Sequence, residues 1–198
     1  VLPPLTYGFS PLPRYADEIS VNDAVLAAYL HSVLPAVADP GDDHNYGSTV
    51  LCDVQALQTL SKRIHFGKFV AEAKFRAQRA LFEPLIAAGD AAAVLAALTH
   101  PDQEDAVAQR VARKAGSFAA SVREAAAGGG EAAAAAEVAC RLSPEAASRL
   151  WVDLVMPLTK QVQVAYLLRR LEATPAEEGE GRFAEGQARG RGPLGGFI

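Results

Sequence analysis

The chain has only two cysteines in 198 residues, Cys52 and Cys140, and their spacing is not that of a metal site. A disulfide scaffold and a thiolate zinc site are both excluded, and two reduced thiols in a reducing compartment are the expectation. There is no basic excess. The formal net charge is -4, which argues against general nucleic-acid binding, so any anion site must be local. No uninterrupted apolar run reaches the roughly 18 residues of a membrane-spanning helix. The opening "VLPPLTYGFSPLP" has neither a basic n-region nor an apolar h-region, so it is not a signal peptide and reads like the middle of a longer protein. No segment alternates as a half-buried strand does. No metal motif, P-loop or dinucleotide fingerprint is present, so neither a metal nor a cofactor is expected.

What remains is helical. The expected fold is all-α, a helical bundle with long spanning helices, a Pro-rich N-terminal loop over residues 1–18 and a disordered C-terminal tail. Val25, Tyr29, Leu30, Val33, Leu34 and Val37 fall at helical spacing, with Ser20 or Asn22 able to cap the start. "PGDDHNYGS" breaks that pattern. A helix of about 30 residues should follow, over 48–78, longer than globular helices usually are. Its apolar face is marked by Val50, Val54, Leu57, Leu60, Ile64 and Val70, with Gly47 turning the chain and Ser48 as cap. A shorter unit ends near Gly89. Asp90 can cap the helix after it, and Pro101 starts another. "AAAGGGEAAAAAEVAC" reads as a flexible linker. Ser143 and Pro144 open the last helix, where Pro157 should kink the axis or break a hydrogen bond. From Ala173 the chain is rich in Gly, Pro and charge, so the expected units are a helical domain, 1–172, and a disordered tail, 173–198.

The stretch "RIHFGKFVAEAKF" carries Arg63, His65, Lys68, Glu72 and Lys74 among apolar neighbours. Arg63 and Lys74 are eleven residues apart, which places them within ~20° on one helix face and ~16 Å apart along the axis. Gly67, Val70 and Ala71 would leave a hollow floor between them. Two cations flanking a hollow suit a small dicarboxylate, with arginine as a bidentate fork and lysine as a point charge. The competing reading is a solvated face with pairs such as Lys68 and Glu72. His65 lies off this face and reads as a packed or surface residue. Thr159 and Gln163 are four apart and interrupt an apolar run, so both need partners, from a ligand or from a neighbouring helix. Glu104 lies near a helix start, where the helix dipole alone would account for it.

Together, "GDDHNYGS", "LSKRIHFGKFVAEAKF", "MPLTK" and "YLLRRLE" resemble the eukaryotic all-helical chorismate mutases of the plant and fungal type, over about residues 1–172. The resemblance implies rearrangement of chorismate to prephenate, in phenylalanine and tyrosine biosynthesis, without a cofactor. It implies that Arg63 grips a substrate carboxylate and that Lys74 contacts the ether oxygen and a carboxylate. Glu104 would lie near the substrate hydroxyl, and Thr159 would be a site residue. His100 falls where fungal members have asparagine and is a secondary substrate-binding candidate. Gln163 departs from the family, which usually has a glutamate that donates to the ether oxygen. Glutamate donates only when protonated, whereas an amide donates at any pH. "NYGS" is similar to an effector site for tryptophan and tyrosine in regulated members, with Gly47 and Ser48 at the matching positions and Asn45 nearby. The resemblance further implies a homodimer in the full-length family and a plastid location, with the cytosol as alternative. The family's N-terminal helix, which carries another catalytic arginine, has no counterpart here, and Arg14 does not match it. Two readings stay open at this point: a chorismate mutase, or a catalytically impaired mutase-like protein acting as an interaction partner.

Overall fold

A computed structural model describes residues 12–38, 40–42, 44–126 and 143–172. Among these residues there is no strand. The helices are α1 (Asn22–Ala28), α2 (Leu34–Val37), α3 (Tyr46–His65), α4 (Gly67–Ala77), α5 (Arg79–Ala87), α6 (Ala91–Leu98), α7 (Pro101–Ala126), α8 (Pro144–Leu150) and α9 (Met156–Leu168). The tail, the glycine linker, Cys140 and residues 1–11 lie outside the described residues.

The core is organised around α9, which packs on α3, α4, α5 and α6. Val162, Tyr166 and Leu167 of α9 meet Ile64, Ala71, Phe75, Phe82, Ile86, Val94 and Leu98 in one buried cluster. Within α4, α5, α6 and α9 these residues recur four positions apart, and burying that apolar stripe holds each helix in place. α7 stands to one side and packs mainly on α8.

Several local expectations hold. The Asp90 carboxylate accepts the Ala93 N–H at 2.9 Å, Ser143 Oγ accepts the Ala146 N–H at 3.1 Å, and α7 begins at Pro101. Others need correction. Residues 12–18 are not all loop: Arg14–Glu18 is a 3-10 turn whose Tyr15 and Ala16 are buried, so core contact overrides the proline-rich composition. The helix expected over 48–78 starts earlier and is broken at Phe66. Its cap position is Asn45, not Ser48, which lies inside the first turn. Its apolar face is also incompletely covered, since Val50, Val54 and Val70 are exposed. Asn22 is not the cap of α1; Val21 occupies that position, with its N–H bonded to His65 Nε2 at 3.1 Å.

Pro157 does not sit within one regular helix. A π-helical stretch, Trp151–Val155, widens the backbone just before it, and Tyr29–Val33 does the same before Pro35. Proline has no N–H and clashes with the carbonyl four residues back, and a widened turn relieves both conflicts.

Candidate active site

A cavity of about 180 Å3 opens where the end of α3, α4, the α6–α7 junction, the π-helical stretch and α9 converge. All six residues singled out for substrate contact line it: Arg63, Lys74, His100, Glu104, Thr159 and Gln163. Gln103, Trp151 and Lys160 add polar or aromatic surface, and Leu98, Val107, Val155 and Met156 supply the apolar wall. Residues from five separate segments therefore meet in one place.

The charges are unevenly balanced. Lys160 pairs with Glu104 at 2.8 Å. Arg63 lies 4.8 Å over the Trp151 ring and has no carboxylate partner among the described residues. Lys74 donates to the Leu98 carbonyl at 3.0 Å, again without a carboxylate partner among them. Burial lowers the Lys74 pKa, with Glu104 pulling it up and Lys160 pushing it down. Two cations thus face the cavity without carboxylate partners among the described residues, as a dianionic ligand would require. The Thr159 hydroxyl donates to the Val155 carbonyl at 2.6 Å, which leaves its oxygen lone pairs as its free polar capacity. Gln163 is only 8% exposed, and none of the described residues hydrogen-bonds its side chain, so its amide is available at the cavity wall. His100 stands at the exposed rim, and its carbonyl accepts the N–H groups of Gln103 and Glu104 at the start of α7.

The hollow floor expected beneath Arg63 and Lys74 is corrected. Gly67 is buried, and a Cβ there would lie 3.0 Å from Thr159 Cγ2, 3.1 Å from the Thr159 carbonyl and 3.3 Å from Gln163 Cγ. The space above Gly67 is filled by α9, and the cavity lies to one side. Because one of these neighbours is backbone, Gly67→Ala should destabilise the fold by about 1–3 kcal/mol, although the same change in an open helix is stabilising. Urea unfolding measures this, and an increase in stability would contradict the packing.

The pair of Lys68 with Glu72 that the competing reading offered does not form. Lys68 Nζ donates to the Ala16 carbonyl instead. Glu72 is buried and accepts from Tyr166, Arg170 and Arg76. The charges in 63–75 are therefore divided, with Arg63 and Lys74 at the cavity and Lys68 and Glu72 in structural bonds. His65 is packed, as expected, and its ring Nδ1 meets the Ser61 carbonyl at 2.8 Å. Asn45, Gly47 and Ser48 lie at the opposite end of α3 and do not line the cavity. About 16 helical residues, or ~24 Å, separate Gly47 from Arg63.

Sequence reasoning assigned no role to Trp151, Lys160 or Gln103. Lys160 lies within "MPLTK", but its ion pair with Glu104 spans 56 positions and has no local signal.

Comparisons with known proteins place the chain in a family. The family model described as chorismate mutase type II matches residues 45–164. Chorismate mutase 1, chloroplastic, of Arabidopsis thaliana is 45% identical over 175 residues, which is 87% of this chain and 51% of that protein. The crystal structure of the Aro7p chorismate mutase from Candida albicans, in complex with L-Trp, superposes with a TM-score of 0.73 at 35% identity, covering 91% of this chain and 64% of that one. The crystal structure of AtCM1 with tyrosine bound in its allosteric site gives 0.69 at 42% identity, covering 86% and 63%. The chain spans about half the length of the curated relatives it matches.

Proposed function

The chain belongs to the chorismate mutase type II family, and on that premise we propose that its cavity binds chorismate and promotes the rearrangement to prephenate. The observation that carries this reading is the pair of cations, Arg63 and Lys74, that face one cavity without carboxylate partners among the described residues. Chorismate carries two carboxylates. Its rearrangement breaks one C–O bond and forms one C–C bond within the same molecule, so no nucleophile or proton transfer is needed. A catalyst has to hold the enolpyruvyl arm over the ring and stabilise charge on the departing ether oxygen. Arg63 takes a carboxylate. Lys74 reaches a carboxylate and the ether oxygen, and the Gln163 amide donates to that oxygen from the same wall. Glu104, steadied by Lys160, accepts from the substrate hydroxyl, Thr159 borders the ring, and His100 closes the rim.

The experiment is chorismate disappearance with the purified chain against a Lys74→Ala control. Turnover that vanishes in the control supports the reading. A folded chain without turnover refutes it and favours the second reading, a helical partner of a fuller subunit. That second reading is supported by the exposed Val50, Leu51 and Val54 of α3, a face suited to association with another chain, including a second copy.

Because Gln163 donates in the same form across the accessible range, kcat should be flat between about pH 5 and 8. A Gln163→Glu variant should instead gain an acid optimum. A pH–rate profile of both proteins checks this, and a steep acid optimum in the parent would contradict the role of the amide.

We also propose that the start of α3, with Asn45, Gly47 and Ser48, binds tryptophan or tyrosine. The support is that relatives of similar fold bind these amino acids, and that a helix N-terminus attracts a carboxylate. The expected result is a change in the apparent KM at millimolar tryptophan or tyrosine that is lost in Gly47→Pro. Unchanged kinetics would refute it. The chloroplastic names of relatives support a plastid location over the cytosol.

A further inference from the structure

Glu72 is 4% exposed and Arg170 is 5% exposed, yet both are charged groups in the apolar core. The carboxylate has no spare acceptor capacity. Its Oε2 accepts from Tyr166 Oη and Arg170 Nε, both at 2.7 Å. Its Oε1 accepts from Arg76 Nε at 2.6 Å and Arg170 Nη2 at 3.2 Å. The network thus ties α4 to the C-terminal end of α9. A buried ion pair is not the best way to stabilise a core, since apolar side chains of similar volume often do as well or better. What directed bonds add is register. An apolar seam tolerates sliding, whereas a carboxylate with four donors does not.

Register between these two helices matters at the cavity. Lys74 lies two residues beyond Glu72 on α4, and Gln163 lies three residues before Tyr166 on α9. The remaining contacts of this helix pair, Gly67 against Thr159 and Gln163 and the buried cluster of Ala71 and Phe75 with Val162, Tyr166 and Leu167, depend on shape. We infer that the Glu72–Tyr166–Arg170 network is a positioning device, which fixes α4 against α9 so that Lys74 and Gln163 reach the same ligand atom. None of the three lines the cavity, so they act through the residues that do. The link to catalysis rests on the proposed mutase reading; the link to register does not.

The test replaces the buried polar members together, as Glu72→Met/Tyr166→Phe/Arg170→Met, so that neither half of the buried Glu72–Arg170 pair is left without the other, while Arg76 is half exposed to solvent. Spin labels at the exposed Ala73 and Gln161 report the separation of α4 and α9 by double electron–electron resonance. The expected triple variant keeps its helicity and melting temperature, shows a broadened label-distance distribution, and loses about tenfold or more in kcat on chorismate with little change in KM. A distribution as narrow as the parent's overturns the inference, whatever the activity. Should the triple variant fail to fold, Tyr166→Phe alone removes one donor, and a smaller broadening is expected; no broadening there overturns it too. If the labelled parent has no turnover, the mutase reading fails, and the distance distribution still decides the positioning claim.

Discussion

Arg63→Ala should lower kcat/KM for chorismate by about a hundredfold or more. The guanidinium has no carboxylate partner among the described residues, so its removal disturbs no ion pair described in the fold. Its loss should therefore fall on the ligand and leave stability nearly unchanged. That combination separates a binding role from a structural one. Arg63→Lys is informative as well, because lysine keeps the charge but loses both the planar fork and the stacking on Trp151. It should recover only a small part of the loss. Steady-state kinetics on both variants, with a melting curve for each, checks the claim. A change within about threefold for the alanine variant would remove Arg63 from the site.

The largest effect on stability is expected at the buried Glu72 of α4. Glu72→Ala takes the Glu72 carboxylate away from the Arg170 guanidinium, which is buried beside the apolar ring of Phe75. Breaking one half of a buried pair typically costs about 3–5 kcal/mol. Equilibrium unfolding in urea measures it, and a loss below about 1 kcal/mol would mean that the pair is solvated in the folded protein. The pH dependence has a definite sign. Burial alone would raise the Glu72 pKa, but the bonds from Arg170, Tyr166 and Arg76 outweigh it and hold the carboxyl below its usual range. The proton is therefore bound more weakly in the folded state than in the unfolded one. The resulting stabilisation is complete above the unfolded carboxyl range, near pH 4.5, and fades as pH falls through the lower folded value. Acid unfolding of Glu72→Gln should show a weaker pH dependence in that window.

Helix signals were legible where they were local. Asp90, Pro101 and the Ser143–Pro144 pair each act within one turn, and each marks its helix as the spacing suggested. Arg63 and Lys74 were legible because eleven residues return a helix to the same face, and that relation survives the break at Phe66 well enough for both to reach the cavity. Gly67 was misread because small residues in a sequence look the same whether they border a void or admit a neighbour. Only the position of Thr159, more than ninety residues on, decides which. Glu72 was misread for the same reason, since its partner four residues back was visible and Tyr166 and Arg170 were not. The π-helical turns were not anticipated, because proline announces a conflict with a regular helix without saying how the backbone resolves it.

The placement of Trp151 has a practical outcome. It is the only tryptophan in the chain, and its ring forms part of the cavity wall directly under the Arg63 guanidinium. Excited at the red edge, where the five tyrosines scarcely absorb, its emission comes from this one spot in the molecule. The protein therefore carries its own optical reporter. A ligand that draws Arg63 off the indole changes the emission as it binds, and occupancy of the site can be titrated without a label and without turnover.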